Sequence, residues 1–315
     1  MIKALYDVCA PAKLNLFLHV TGRRGDGYHL IQSVFMLIDW CDTLHFELRT
    51  DGQITREDLS TALPDDDLIV RAASALQAAG GSKNGAGKPA KGVHIGVHKR
   101  IPSQAGMGGG SSDAASTLLA LNRLWELGFS LSKLRTIGLS LGADVPFFLY
   151  GHNAWVEGVG EKMAPVTLPD AQFVVVKPPG GVQTASIFQH PDLKRDSPTA
   201  IISGFAENPF GFGQNDLQSV AQGMCAGIRQ ALAWLSAFDG GLNDGSHDGR
   251  NEDLQGRMTG SGSAVFAHMP GKVPVNVPGD VTQRTNWPAM PDGFQARLCN
   301  NLQAHPLAGW AVADA

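Results

Sequence analysis

The chain lacks what ties a protein to a membrane, an oxidising compartment or a nucleic acid. No apolar run reaches the ~20 residues of a bilayer-crossing helix. The opening residues carry Asp7 and no sustained apolar core, so no signal peptide is expected. Cysteine is scarce: Cys9, Cys41, Cys225 and Cys299 stand far apart with no C-x-x-C pair, and read as reduced, buried thiols. No charge of one sign dominates. Lys and Arg number 25 against 29 Asp and Glu, a net −4 that gives no reason for nucleic-acid binding. A phosphate ligand would have to be held by local charges. No internal repeat is visible. With 43% hydrophobic and 17% charged residues, the chain reads as an ordinary cytoplasmic globular protein. Its 315 residues suffice for about two domains at ~150 residues each.

Two common phosphate-binding patterns are missing as well. No lysine ends the glycine-rich loop as a Walker A sequence demands, and counting G-x-G-x-x-G from Gly106 puts Ser111 at the third glycine. What stands there is I-P-S-Q-A-G-M-G-G-G-S-S-D-A-A, from Ile101 to Ala115. Upstream, Val93, Ile95 and Val97 alternate with His94, Gly96 and His98, the period of a half-buried strand. Downstream, Ala114, Leu118, Leu121 and Trp125 recur at helical steps, and Gly128 marks a stop. A glycine loop thus leads from a strand into a helix expected to begin with Ser111, Ser112 and Asp113. Residues without Cβ let the backbone approach a ligand, and a helix start offers free N–H groups and a favourable dipole to phosphate. The loop is read as a nucleotide-phosphate cradle.

Pro102 through Ser112 resembles the second motif of the GHMP kinases: proline, three variable residues, glycine, an apolar residue, then small residues ending in Ser-Ser. Two further stretches resemble that family's motifs in the expected order. Cys9-Ala10-Pro11-Ala12-Lys13-Leu14-Asn15-Leu16 carries the first, with its Pro-x-Lys-x-Asn core, and Met258-Thr259-Gly260-Ser261-Gly262-Ser263-Ala264 the third. Taken alone, Lys13 would be a solvated charge. Asp144 in G-A-D-V-P-F-F could be a helix cap, but in this setting it matches the family's catalytic aspartate. The resemblance spans about Val8 to Phe266 and implies a two-lobed α+β fold, with ATP and an acceptor alcohol in the cleft between lobes 1–168 and 169–315. It implies Lys13 and Asp144 as the catalytic pair and Pro102, Ser103, Gln104, Ala105, Gly106, Met107, Gly108, Gly109, Gly110, Ser111 and Ser112 as the ATP-binding loop. Mg²⁺ is expected with ATP, a hydroxyl of Ser111 or Ser112 being one ligand.

Two stretches resemble one branch of the family, whose acceptor is a methylerythritol linked to cytidine diphosphate on the non-mevalonate route to isoprenoids. They are G-R-R-G-D-G-Y-H at Gly22–His29 with the Leu30, Ser33 and Phe35 that follow it, and the segment Gly151-His152-Asn153-Ala154-Trp155-Val156-Glu157-Gly158-Val159-Gly160-Glu161. Asn215-Asp216-Leu217 resembles the N-D-L element of the whole family, with Gln218 in place of the usual Glu. The branch resemblance implies that Asn15, Tyr28, His29, Thr184 and Phe188 bind the acceptor, Tyr28 and Phe188 enclosing the cytosine. An aromatic face and an imidazole suit a pyrimidine, although a turn at Asp26-Gly27 and a core Phe188 would explain the same residues. Another GHMP kinase, a non-catalytic nucleotide-binding module and a dinucleotide-dependent oxidoreductase are the alternatives. A monomer or weak homodimer is expected.

Elsewhere, Leu14, Leu16, Leu18 and Val20 alternate as a strand, with Lys13, Asn15, Phe17 and His19 on its other face. Leu44, Phe46 and Leu48 suggest another strand. Asp65 to Asp67 read as the cap of a helix rather than a metal site. A helix opening at Asn215 is expected to run through Val220, Met224, Ile228, Ala231 and Leu235, and a last helix over Gln295 to Leu302. Residues 80–92 and 239–253 read as exposed loops, and 270–293 as irregular.

Overall fold

The structure, a computed structural model, describes residues 2–81, 91–237, 255–269, 279–280, 289–312 and 314. Two long antiparallel strands carry its frame: β1 (Ala4–Arg23) and β2 (His29–Arg49), joined by the turn at Asp26-Gly27, where Gly27 takes φ +93. β3 (Ile54–Asp58), helix α1 (Leu68–Gly80) and β4 (Gly92–His98) follow, with β3 parallel to β4 and β4 antiparallel to the far end of β2. Helices α2 (Gly109–Leu124), α3 (Leu131–Leu141) and α4 (Val145–Tyr150) come next, then β5 (Ala154–Gly158), paired with β2 and β6 (Lys162–Pro165). The second half holds β7 (Gln172–Lys177), α5 (Thr184–Gln189), α6 (Ile202–Glu207), α7 (Gln218–Met224) and α8 (Ala226–Ser236). It ends with β8 (Arg257–Met258), β9 (Val265–Met269), β10 (Gly279–Asp280) and β11 (Gln295–Leu302). The strands run in the order β3-β4-β2-β11-β7-β9-β8. Among the described residues no helix is long and apolar enough to cross a membrane.

β11 is the join between the halves. Gln295–Asn300 pair with β7, while Asn301 and Leu302 pair with Ile38 and Leu37 of β2. The helix expected over these residues is therefore a strand. Its apolar residues fit either period, and a place between two open strand edges decides for the ladder. The long helix expected from Asn215 is also two helices, broken at Cys225, whose φ −136 and ψ 103 are extended. Gly227 follows the break because a Cβ there would stand 2.8 Å from the Pro178 ring. β10 lies within the stretch expected to be irregular; residues 239–253 and most of 80–92 fall outside the described residues.

The alternation in β1 holds only to Asn15. Asn15 faces Phe35 but Leu18 faces Ser33, so three residues oppose two and the strand bulges. Beyond the bulge the faces change. Phe17 turns into a core with Leu14, Leu16, Met36, Phe173 and Val175, whereas Leu18 and Val20 join a second core under α7 and α8. A third core packs α1 and α2 against β2 and β4. The face expected for Phe17 is thus overturned, and Lys13 and Asn15 stand apart at the cleft.

Phe17 meets Trp155, Phe205 and Phe212 with ring centroids 5.4, 6.0 and 5.1 Å away. Phe17→Ala should cost about 3–5 kcal/mol of stability, read by urea unfolding. A loss below about 1 kcal/mol would mean that the bulge does not place Phe17 in the core.

Candidate active site

One cleft of about 1240 Å³ lies between the halves, and every residue singled out above for catalysis or binding lines it except Ser112. The volume exceeds the ~300–1,000 Å³ of a typical small-molecule site, leaving room for two ligands.

The glycine loop is fixed from below. Ile101, Ala105 and Met107 are sunk in the core beneath it. Its carbonyls are occupied by protein: Met107 accepts from the Lys13 N–H at 3.0 Å, Gln104 from Ser263 at 3.1 Å and Ala105 from Ala264 at 3.1 Å. Gly106 and Gly108 take φ +73 and +72. A Cβ on Gly106 would lie 2.2 Å from the Thr259 carbonyl, and one on Gly108 2.9 Å from the Phe148 ring. α2 begins at Gly109, two residues before the expected start, so Gly109 and Gly110 form its first turn. The first amides of a helix have no acceptor within it. Here they open onto the cleft with the positive end of the dipole behind them. The Ser112 hydroxyl does not reach the cleft; it donates to Pro11 O at 2.6 Å and ties α2 to β1.

A buried charge cluster that the sequence did not suggest braces this turn. Asp42 accepts from the backbone N–H of Arg100 and Ile101 at 2.5 and 2.8 Å. The Lys99 ammonium pairs with both Asp42 and Asp113. Burial pushes the Asp113 carboxyl up to about 8; Lys99 opposes the shift and Asp42 adds to it. A lysine at a strand end reads as a solvated charge, and Asp42 lies 57 residues away in sequence.

Lys13 is 3% exposed. Its ammonium lies 3.7 Å from Asp144 Oδ2 and 4.8 Å from the centre of the Phe35 ring, and it donates to Asn15 Oδ1. Burial pulls its pKa below the lysine range, with Asp144 opposing. Asn15 is held in turn: its backbone N–H donates to Thr259 Oγ1 at 2.9 Å and its amide to Ser33 Oγ at 3.0 Å. Asp144 precedes α4 but its side chain caps nothing, which leaves the carboxylate to the cleft. Asp67 does cap α1, accepting from Val70 N at 3.0 Å, and pairs with Arg56 at 2.9 Å.

At the other end, His29 stacks on Phe188 with centroids 4.9 Å apart and planes at 30°. Tyr28 is 64% exposed beside them, and Thr184 shares a 2.7 Å hydrogen bond with Ser261 of the third motif. Asn215 donates to Met258 O and Gly260 O at 2.7 and 2.8 Å and holds that motif in place. Gln218 accepts from Met258 N at 2.7 Å through an oxygen that a glutamate would equally present. Glu157 accepts from Trp155 and Gln32, both at 2.9 Å, and these bonds hold its carboxyl below the usual range.

Glycine cradle, a buried lysine paired with an aspartate at the cleft, and two-lobed fold together define a small-molecule kinase of the GHMP class. Residues 67–152 match the family described as GHMP kinases N terminal domain. The chain is 64% identical over 313 residues to 4-diphosphocytidyl-2-C-methyl-D-erythritol kinase of Albidiferax ferrireducens, covering 99% of this chain and 98% of that protein. It is 56% identical over 326 residues to that of Variovorax paradoxus, covering 99% and 100%. A crystal structure of 4-(cytidine 5'-diphospho)-2C-methyl-D-erythritol kinase superposes with a TM-score of 0.69 at 30% identity, over 92% of this chain and 98% of that one. Mevalonate kinase of Methanococcus jannaschii shares the fold, with a TM-score of 0.57 at 14% identity over 84% and 90%. The chain belongs to the 4-diphosphocytidyl-2-C-methyl-D-erythritol kinase family.

Gly106→Ala should weaken ATP binding by about tenfold or more, because the loop must leave either its left-handed turn or the Thr259 carbonyl. Titration calorimetry measures it; an unchanged affinity would show that this turn does not shape the cradle.

Proposed function

We propose that the chain transfers the γ-phosphoryl group of ATP to a hydroxyl of 4-diphosphocytidyl-2-C-methyl-D-erythritol, in the non-mevalonate route to isoprenoids. The observation that carries this reading is one cleft joining the glycine cradle, the 3.7 Å Lys13–Asp144 pair and the aromatic corner at Tyr28, His29 and Phe188. Lobe 1–168 supplies the cradle and Asp144; lobe 169–315 supplies Thr184 and Phe188. The enzyme works in the cytoplasm as a monomer or weak homodimer.

In-line phosphoryl transfer needs positioning and charge neutralisation more than covalent help. The loop from Pro102 to Ser111 holds the phosphates through backbone amides. Asp144 accepts the proton of the attacking hydroxyl. Lys13 pairs with the Asp144 side chain at 3.7 Å and offsets the charge gathering on the oxygens. Oxygen donors suit Mg²⁺. Ser111, which lines the cleft in the first turn of α2, would hold the ion together with the phosphates, where it would supply further charge neutralisation. Tyr28, His29 and Phe188 hold the base, and Asn15 and Thr184 the remainder of the acceptor.

Asp144→Asn should preserve the fold and cut kcat by ~10²–10⁴, the worth of a general base. Steady-state kinetics with ATP and the cytidyl acceptor tests it, and near-normal turnover would sink the assignment. Tyr28→Ala should raise the acceptor KM by about 5- to 150-fold, since stacking contributes ~1–3 kcal/mol per base. An acceptor lacking the nucleotide should show no such change; equal losses on both would make Tyr28 structural.

A further inference from the structure

The stack of His29 on Phe188 is held by a residue outside the motifs. Arg195 follows α5, and its five N–H donors have five acceptors. Nε donates to His29 Nε2 at 3.1 Å. One terminal nitrogen donates to Pro191 O and Leu193 O at 3.4 and 2.9 Å, the other to Phe188 O and His190 O at 3.1 and 2.8 Å. The same guanidinium therefore grips the imidazole of one stacked residue and the backbone of the other.

Guanidinium donates and never accepts, and it stays charged. The nitrogen it faces must present a lone pair. A neutral imidazole whose Nε2 is unprotonated carries its proton on Nδ1, and an imidazolium would set N–H against N–H. Burial, then the cations Arg195 and Arg23, hold the His29 pKa below its ordinary value.

We propose that Arg195 is a positioning residue for the acceptor base: it locks His29 as the Nδ1–H tautomer against Phe188, so that the ring offers its ligand a donor and no acceptor. A pyrimidine with a lone pair at N3, as in cytosine, matches that donor; uracil carries a hydrogen there. This rests on the cytidyl acceptor proposed above, but the tautomer is read without any ligand.

The test is ¹⁵N-imidazole NMR of the full chain with kinetics of wild type, Arg195→Met and Arg195→Lys. Wild type should show Nδ1 protonated and Nε2 bare. Arg195→Met should shift His29 toward Nε2–H and raise the cytidyl KM by about 10- to 100-fold, the worth of a charge-assisted hydrogen bond. Its kcat and its KM for ATP should stay within about twofold, the signature of lost ground-state binding. In the same NMR experiment the His29 pKa should rise in Arg195→Met, because a cation beside the imidazole is gone. Arg195→Lys should restore the tautomer and part of the KM. An Nε2–H signal in wild type overturns the proposal even if no variant folds. So does an unchanged tautomer, or an unchanged acceptor KM, in folded Arg195→Met. Wild type that binds ATP but leaves the cytidyl acceptor unphosphorylated would instead remove the acceptor reading.

Discussion

An ammonium on a residue only 3% exposed has to be compensated where it stands. Lys13 is that ammonium, and its partners come from distant parts of the chain: Asp144 before α4, the ring of Phe35 on β2, and Asn15 on its own strand. Asn15 passes the constraint to Thr259 of the second half, 244 residues away. Asn15, which holds the ammonium, is therefore fixed from both halves, by Ser33 of the first and Thr259 of the second. Truncating Asp144 would leave the buried ammonium without its charged partner.

The glycine loop obeys the same logic through its backbone. Loops carry orphan carbonyls that must be satisfied when buried. Here the carbonyls of Gln104, Ala105 and Met107 are taken by the 263–264 backbone and by Lys13 itself. With carbonyls turned into the protein, the amides at the start of α2 are what remains to face an anion. Gly106 and Gly108 are needed for this turn, one approaching a backbone oxygen and the other an aromatic ring. Gly109 and Gly110 serve differently, since their backbone is helical.

Much of this was legible in the sequence, because local rules sufficed there. Alternation in Val93–Val97 and helical spacing in Ala114–Leu121 located the cradle, and Asp65 to Asp67 marked a helix start that the structure keeps. The misses have tertiary causes. One extra residue between Asn15 and Leu18 reversed the faces beyond it, and no composition signal announces a bulge. The residues 295–302 became a strand because β2 and β7 needed a partner between them. Arg195 carried no signal at all: its worth lies in five acceptors drawn from one turn of chain and one distant ring.

The cluster under the cradle answers an electrostatic difficulty. Two carboxylates beneath a phosphate site would repel the ligand, and one ammonium offsets only one of them. Asp113 is 2% exposed, burial raises the pKa of its carboxyl, and the Lys99 ammonium sits against both it and Asp42. Burial of Asp113 works against a second negative charge in the trio. Asp42 accepts the N–H groups of Arg100 and Ile101 and so braces the loop. The positive end of α2 adds a favourable field at the cradle, acting over the first turn of the helix, where Gly110 and Ser111 line the cleft.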